Sequence, residues 1–255
     1  MKLLLQQIIQ LAEQAGEAIL DVYHRDITEQ GIQAKADDSP LTAADLAAQQ
    51  VISERLQQLT PDIPLLSEEA ATTPWSERQH WERFWLIDPV DGTKEFIKRN
   101  GEFTVNIALI EKGKAVLGVI HAPVLQKTYA ALKGEGALVQ EKGEQYRIQV
   151  SRPAPGEAIR VVGSRSHPSP ELADYVKKFP QHDIVAVGSS LKFCLVAEGS
   201  AHVYPRFGPT MMWDTGAGHI IAEEAGASVQ FTGLGDAVYH RDELLNPNFI
   251  VSALH

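Results

Sequence analysis

Two aspartates three positions apart are the residues of this 255-residue chain best placed to do chemistry. The segment Phe-Trp-Leu-Ile-Asp-Pro-Val-Asp-Gly-Thr (84–93) begins as a short apolar run, which is typical of a buried strand, and continues into Asp88, Asp91 and Gly92. If the turn places the two carboxylates close together, they repel each other unless a cation lies between them. Mg²⁺, which prefers oxygen ligands, is the simplest candidate for that cation. The local alternative is a plain turn, because Asp, Pro and Gly are all turn formers.

Composition restricts the possible partners and the compartment. A formal net charge of −10 argues against binding to a nucleic-acid polymer, and an anionic substrate would need metals or local cations at its site. The single cysteine, Cys194, excludes an intrachain disulfide, fits a reducing compartment, and is expected to be a buried apolar side chain. Glutamines interrupt the apolar N-terminus, and no apolar stretch reaches membrane-spanning length. We therefore expect a cytoplasmic protein without a transmembrane segment, and a peripheral position at the inner face of the cell membrane stays open.

The first part of the chain predicts two helices. Apolar residues recur at helical spacing over 2–24, and Thr42 is a suitable N-cap for a helix that runs to about Leu59. Asp45 lies three residues after Thr42, where a capping box has its acidic member, so a capping role and a catalytic role are both open for it. A short strand from Pro64 then ends at Glu68, and the polar segment 72–83 is interpreted as a helix or a lid.

Strand patterns dominate the chain from there to a boundary that we predict at residues 152/153. Strands are predicted at 104–110, 115–121, 128–132 and 146–150, with glycines near the turns, so neighbouring strands should be antiparallel. The Pro- and Gly-containing stretch 151–158 is the one segment that resembles a linker. The predicted domains are therefore residues 1–152, an α+β unit, and residues 153–255, an α/β unit.

The second part alternates between strand and helix periods, which indicates α/β architecture. We predict strands at 159–163, 183–187, 201–204, 228–231 and 249–252, and helices at 170–179, 191–198 and 213–225. Asp214 lies at the N-terminal end of the last helix, where a carboxylate ordinarily caps free N–H groups. Capping alone is thus the local alternative to a functional role for Asp214.

Four motifs in one order resemble a known family. Glu68 after a strand, Asp-Pro-Val-Asp-Gly-Thr at 88–93, Trp-Asp at 213–214 and Ala-Gly at 225–226 resemble the inositol monophosphatase-like, Mg²⁺-dependent phosphatases over essentially the whole chain. The resemblance implies a layered α-β-α-β-α sandwich of the inositol monophosphatase/fructose bisphosphatase type. One departure is Gly216, where the family commonly has Ala.

Further segments resemble one branch, the bacterial CysQ-type 3′(2′),5′-bisphosphate nucleotidases. These segments are Lys-Ala-Asp-Asp-Ser-Pro-Leu-Thr-Ala-Ala-Asp (35–45), Gly-Ser-Arg-Ser-His (163–167), Gly-Ser-Ser-Leu-Lys-Phe-Cys (188–194) and Leu-Leu-Asn-Pro-Asn-Phe (244–249). They favour a phosphorylated nucleotide as substrate.

The resemblance assigns metal ligands by position. Glu68, Asp88 and the Val90 carbonyl would hold one Mg²⁺, while Asp88, Asp91 and Asp214 would hold a second; a third ion is left open. These carboxylates would bring four negative charges, which two Mg²⁺ ions neutralise before a phosphate arrives.

The resemblance also assigns the reacting and binding residues. Thr93 and Asp45 match the pair that orients the attacking water, and Glu68 is grouped with them as catalytic. The substrate-binding positions are Glu68, Val90, Asp91, Gly92, Thr93, His167, Ser189, Lys192, Arg206 and Asp214, with Arg165 and Lys35 as weaker candidates. For Lys192 a solvated helix face, and for Arg206 an ordinary loop position, are the open alternatives. The histidines outside a motif, such as His24 and His240, are expected on the surface.

The function that the resemblance implies is Mg²⁺-dependent removal of the 3′-phosphate from adenosine 3′,5′-bisphosphate, with 3′-phosphoadenylyl sulfate as a further substrate. Such enzymes belong to sulfur metabolism and are typically sensitive to lithium. An inositol or sugar monophosphatase with the same chemistry is the first alternative, and a non-catalytic metal- or nucleotide-binding regulator is the second. A monomer and a homodimer are both compatible with the sequence.

Overall fold

The structure, a computed structural model, describes residues 1–25, 32–34, 40–165, 169–236 and 238–254. The helices among these residues are α1 (Lys2–Tyr23), α2 (Ala43–Leu59), α3 (Trp75–Arg78), α4 (Thr93–Ile97), α5 (Pro170–Val176), α6 (Leu191–Ala197) and α7 (Met212–Glu224). The strands are β1 (Gln33–Ala34), β2 (Pro40–Leu41), β3 (Leu65–Ser67), β4 (Arg83–Asp91), β5 (Thr104–Glu111), β6 (Lys114–Ala122), β7 (Lys127–Leu132), β8 (Gly136–Glu141), β9 (Glu144–Ile148), β10 (Ile159–Ser164), β11 (His182–Val187), β12 (Val203–Arg206), β13 (Ser228–Phe231) and β14 (Phe249–Ser252).

Two large sheets organise the fold. The first has seven strands in the order β3-β4-β5-β6-β7-β8-β9, and all its neighbours are antiparallel except β3 and β4. The second has five strands in the order β11-β10-β12-β14-β13, where β10 runs parallel to both β11 and β12. The antiparallel pairing expected for the middle of the chain is confirmed.

Helices lie on both faces of each sheet. Helices α1 and α2 pack on one face of the seven-stranded sheet through residues such as Ile8, Ile52 and Trp85. Helices α6 and α7 fill the space between the two sheets in a single apolar cluster, and α5 covers the outer face of the five-stranded sheet through Val176. This α-β-α-β-α sequence of layers confirms the sandwich that the resemblance implied.

Local sequence signals explain most element boundaries. Thr42 caps α2, since its hydroxyl accepts from the Ala44 N–H, and Asp45 accepts from the Thr42 N–H at 2.7 Å to complete the capping box. The strand predicted to end near Ile87 instead continues to Asp91 as β4, with a register shift between Asp88 and Asp91. The bulge accommodates Pro89, which has no N–H to give to the ladder.

Two sequence expectations were wrong. The glycines near 134–136 predict only a turn, whereas strand β8 begins at Gly136. Three histidines expected on the surface are buried, namely His121, His202 and His219. Each of these rings has a hydrogen-bond partner on Nδ1, which satisfies one of its two ring nitrogens in the interior. Cys194 is buried, as expected.

The segment 151–158 runs between the last strand of the seven-stranded sheet and the first strand of the five-stranded sheet. The apolar cluster around α7 nevertheless joins residues of both sheets. The division into domains 1–152 and 153–255 therefore stays a prediction. None of the helices in the described residues combines the length and apolar character that a bilayer crossing requires.

Candidate active site

A cavity of about 430 Å³ opens where β4 ends, α7 begins and the loop before α6 passes. Ten of the residues singled out from the sequence line it: Glu68, Asp88, Val90, Asp91, Gly92, Thr93, Ser189, Lys192, Arg206 and Asp214. These residues come from both parts of the chain, and the fold brings them together at the C-terminal end of β4 in the seven-stranded sheet.

Three carboxylates form the acidic side of this cavity. Glu68 follows β3, Asp88 lies in β4, and Asp214 lies in the first turn of α7; one carboxylate oxygen from each is within 4.8 Å of the other two. Asp88 is only 1% exposed, and its Oδ1 accepts a hydrogen bond from the Val90 N–H at 3.0 Å. The capping role weighed for Asp214 is also present, because its Oδ2 accepts from the Met211 N–H at 2.8 Å.

Asp91 lies beside this cluster and has different partners. Its Oδ2 accepts a hydrogen bond from Asn106 Nδ2 at 3.3 Å. The Asn106 carboxamide oxygen in turn accepts from the Ser190 hydroxyl at 2.7 Å. Asp91 is thereby fixed by β5 and by the loop before α6.

The electrostatics of the cluster favour a cation. Burial raises the pKa of Asp88 well above its ordinary value, and repulsion from Glu68, Asp91 and Asp214 raises it further. The pKa of Asp214 is raised by the same causes, with burial the largest. Burial also raises the pKa of Asp91, although Lys192 and the Asn106 hydrogen bond oppose the shift.

Negative charge is therefore concentrated here without sufficient compensation from the protein. The donor set consists of carboxylate oxygens with the Val90 carbonyl nearby, which suits a hard divalent cation such as Mg²⁺. The residues present thus fit Mg²⁺, while the number of ions and the ligands of each stay predictions.

The two residues expected to orient water occupy different surroundings. The Thr93 hydroxyl lines the cavity and donates to the Val90 carbonyl at 3.3 Å. Asp45 is buried, its Oδ2 accepts from the Thr42 hydroxyl at 2.6 Å, and its charge contributes to the raised pKa of Asp88. The pairing of Thr93 with Asp45 across this site stays a prediction.

Three cationic residues line the same cavity, namely Lys94, Lys192 and Arg206, and the sequence singles out the last two. Lys192 is 8% exposed, so the alternative of a solvated helix face is excluded. Burial lowers the pKa of Lys192 to about 8, with Asp91 opposing and Arg206 reinforcing the shift, and its ammonium donates to the Ser189 carbonyl. Arg206 ends β12 and donates from Nη2 to the Pro209 carbonyl at 3.0 Å, whereas its buried Nε has no hydrogen-bond partner among the described residues.

The weaker candidates are placed elsewhere or not described. Arg165 is held by Glu102 through hydrogen bonds of 2.6 and 2.8 Å, and it is absent from the described residues that line the cavity. The same Glu102 accepts from the Gly188 N–H at 2.8 Å, so Arg165 braces the loop that carries Ser189. His167 and Lys35 lie outside the described residues.

Sequence reasoning missed several polar residues at the site. Asn106 lies in the otherwise apolar strand β5, and that interruption was the available signal, since a buried amide requires partners. Glu95 lines the cavity from α4 and is buried, and nothing distinguishes it in the sequence from a solvated first-turn glutamate. Ser190 is placed beside Asp91 by a loop conformation that no local pattern specifies.

The comparisons with known proteins agree with this geometry. The sequence profile of the inositol monophosphatase family matches residues 1–253. A 3′(2′),5′-bisphosphate nucleotidase CysQ from Salmonella typhimurium is 54% identical over 250 residues, which cover 98% of this chain and 99% of the relative.

Solved structures extend the likeness to three dimensions. CysQ from Bacteroides thetaiotaomicron, described as a bacterial member of the inositol monophosphatase family, superposes with a TM-score of 0.83 at 42% identity, covering 96% of this chain and 95% of that one. A Thermotoga maritima IMPase superposes with a TM-score of 0.80 at 27% identity, covering 99% of this chain and 92% of that one.

Proposed function

The chain belongs to the inositol monophosphatase family, and we propose that it hydrolyses the 3′-phosphate of adenosine 3′,5′-bisphosphate to give AMP and phosphate. The observation that carries the proposal is one cavity whose lining combines an acidic cluster with the cations Lys192 and Arg206. Lys192 and Arg206 are suited to a second phosphate, which a monophosphate substrate would not need. The identity of 54% to a 3′(2′),5′-bisphosphate nucleotidase supports the same substrate class. We extend the proposal to 3′-phosphoadenylyl sulfate and to a cytoplasmic location.

The acidic residues would hold the metal. Glu68, Asp88 and the Val90 carbonyl would ligate one Mg²⁺, and Asp88, Asp91 and Asp214 would ligate a second. When bound, Mg²⁺ lowers the pKa of a coordinated water and offsets the negative charge of the phosphate. Asp88 is shared between both ligand sets and is also the most buried of the clustered carboxylates, in keeping with a central position.

The remaining residues of the chain position the reactants. Gly92 adopts a left-handed φ of 95°, which a Cβ disfavours, and its backbone and that of Thr93 would bind phosphate oxygens at the start of α4. Thr93 and Asp45 would orient the attacking water. The guanidinium of Arg206 would bind the second phosphate from the cavity lining, and Ser189 and His167 would complete the nucleotide contacts.

The decisive experiment compares substrates on the purified protein. With Mg²⁺ present, phosphate release from adenosine 3′,5′-bisphosphate should exceed release from inositol 1-phosphate at equal concentration. A preference for inositol 1-phosphate would keep the family chemistry but replace the substrate with that of the first alternative.

A second experiment addresses the non-catalytic regulator. Asp91→Asn should abolish turnover, because it removes a ligand charge beside the cluster while keeping the shape of the side chain. Asp62→Asn, the same change at an exposed carboxylate outside the cavity lining, is the matched control and should leave turnover unchanged. Turnover by the Asp91 variant at the wild-type rate would refute the ligand assignment.

A further inference from the structure

The segment Leu-Leu-Asn-Pro-Asn-Phe (244–249) has no assigned role in the reaction, yet it runs beside the residues that precede α7. Met211 and Leu245 form an isolated antiparallel bridge, and the Met212 N–H donates to the Leu244 carbonyl at 2.9 Å. The Asn246 N–H donates to the Thr210 carbonyl at 2.7 Å. The turn that begins α7 is thus bound along its length to this segment.

Asn246 adds side-chain bonds to this backbone pairing. It is 6% exposed, and its Nδ2 donates to the Met211 carbonyl at 2.7 Å and to the Thr215 hydroxyl at 3.1 Å. Its Oδ1 accepts from Arg241 Nη2 at 2.7 Å. The carboxamide is therefore fully engaged and fixed in orientation.

These bonds bracket Asp214 on both sides. Met211 precedes Asp214 and donates its N–H to the carboxylate, while Thr215 follows it directly. The Asn246 carboxamide thus restrains both Met211, which orients the Asp214 carboxylate, and Thr215, which follows Asp214. Asp214 is also the one carboxylate of the cluster that comes from α7, so its position relative to Glu68 and Asp88 depends on how α7 begins.

The support continues into the segment 72–83. Arg78, 6% exposed, donates to the Asp242 carbonyl at 2.8 Å and to the Arg241 carbonyl at 3.3 Å. It also donates to the Thr73 carbonyl at 2.8 Å. The segment interpreted from sequence as a helix or a lid is therefore anchored to the chain just before Asn246.

We propose that Asn246 is a positioning residue that sets the Asp214 carboxylate for Mg²⁺ binding. The inference rests on the proposed function for the presence of Mg²⁺. Residues that hold metal ligands in place typically change metal affinity by about 10–100-fold when they are replaced. Asn246 would do so through Met211 and Thr215 without touching the metal or the substrate.

The test uses two asparagines of the same segment. Asn246→Asp keeps the size of the side chain but replaces the donors to Met211 and Thr215 with an acceptor. Asn248→Asp makes the same change, with the same charge, at an exposed side chain that has no hydrogen bond to another described residue. The readout is the thermal stability of each protein as Mg²⁺ is added, because a ligand that binds the native state raises the melting temperature.

We expect Asn246→Asp to need about tenfold more Mg²⁺ than wild type for the same rise in melting temperature, and Asn248→Asp to match wild type. In assays at a temperature at which each variant is folded without Mg²⁺, kcat of the Asn246 variant should be low at limiting Mg²⁺ and recover at excess Mg²⁺. If Asn246→Asp does not fold, Asn246→Ser, which loses much of the same bonding without burying a charge, replaces it. Equal Mg²⁺ requirements at positions 246 and 248 would overturn the proposal.

The outcomes separate this inference from the proposed function. A wild-type protein that binds Mg²⁺ but releases no phosphate from adenosine 3′,5′-bisphosphate would refute the substrate, and the Mg²⁺ comparison would still decide the role of Asn246. An active nucleotidase with Mg²⁺ binding unchanged by Asn246→Asp would refute the positioning role alone.

Discussion

Lys192 is buried beside a group of carboxylates, and its environment indicates a role for its positive charge. Burial lowers the pKa of its ammonium to about 8, whereas the negative charge of Asp91 opposes that shift. Desolvating a lysine is costly, and a purely structural role would be served by an apolar side chain of similar length. The arrangement therefore favours a direct role for this cation toward an anion in the cavity.

Lys192→Met should raise KM for adenosine 3′,5′-bisphosphate by about 10- to 100-fold, since a hydrogen bond to a charged group contributes about 1.5–3 kcal/mol. The kcat should change little, because the contact exists in both the ground and transition states. Steady-state kinetics measure both values. The internal control is a 3′-monophosphate nucleotide, whose KM should be nearly unaffected. Equal effects on the two substrates would show that Lys192 does not bind the second phosphate.

His121 provides a second residue whose titration can be followed. It is 8% exposed, its Nδ1 is 2.9 Å from the Thr128 hydroxyl, and burial lowers its pKa to about 4. Glu13 and Glu17 on α1 are the acidic groups beside it, with Glu13 accepting from Thr128 at 3.3 Å. The native state thus holds this ring neutral.

Acidification should therefore destabilise the protein through His121. The unfolded chain binds a proton near pH 6.5 and the native state only near pH 4, so stability falls as pH drops between these values. The loss amounts to about 3 kcal/mol. Urea unfolding of wild type and His121→Asn at pH 7, 5.5 and 4.5 measures it, and the variant should lose less stability. Exposed His80→Asn is the control and should follow wild type; identical pH slopes for wild type and the His121 variant would contradict the argument.

Single residues differed in how well the sequence predicted them. The carboxylates in the acidic cluster belong to motifs with a fixed spacing. Each one lies at the end of a predicted strand or the start of a predicted helix, so its position in the fold could be predicted. Asn106 lies in no such motif, and Ser190 has no assigned role within the segment 188–194, because their roles depend on which strand and which loop become neighbours. The burial of His121, His202 and His219 was not predicted for the same reason, since only the fold supplies the partners of their Nδ1 atoms.

At the scale of elements, α7 connects the site to the rest of the fold. It packs against the seven-stranded sheet where β6 carries Gly118, and a Cβ there would lie 2.6 Å from the Ala217 carbonyl and 2.4 Å from Ile220 Cγ2. The helix approaches the sheet closely because Gly118 has no side chain. At Gly216 a Cβ would lie 2.8 Å from Leu86 Cδ2, so the glycine also allows a close contact between α7 and β4.

Gly118→Ala should destabilise the protein by about 2–3 kcal/mol, because the backbone of α7 cannot yield as a flexible side chain would. The melting temperature should fall by about 5–10 °C in differential scanning calorimetry. The matched control is Gly235→Ala, at a position where a Cβ would meet nothing within 4 Å. If both variants melt together with wild type, the close approach of α7 to β6 is not as described.

Elements with strong periodicity or clear caps were predictable. Helices α1 and α2 and strands β13 and β14 lie close to their predicted bounds, since apolar spacing and the Thr42 cap define them locally. The extension of β4 to Asp91 was missed because Pro89 indicates the end of a strand unless a bulge accommodates it. Strand β8 was missed since its glycine start resembles a turn until β7 and β9 flank it.

At the scale of the whole molecule, the two predicted domains share an apolar interior. One cluster joins Leu86, Ala108 and Tyr129 of the seven-stranded sheet with Ile220 of α7 and Phe249 of the five-stranded sheet. The sequence could not show this, because local patterns identify which face of an element is apolar but not which element covers it. The linker-like composition of 151–158 describes a connection and carries no information about the packing around it.

The fragment 1–152 should therefore not fold cooperatively alone. Without α7 and α6, one face of its seven-stranded sheet would expose Leu86, Ala108 and Ile120 to water, and the acidic cluster would lack Asp214. Each large apolar side chain left exposed forfeits about 1.5–3 kcal/mol of burial, so a few are enough to cancel the net stability of a domain. A dispersed amide spectrum and a sharp thermal transition from this fragment would establish an independent domain. We expect instead a poorly dispersed amide spectrum and binding of a dye that recognises exposed apolar surface. Adding the fragment 153–255 should restore dispersion and abolish dye binding, because the exposed face of the sheet is then covered again.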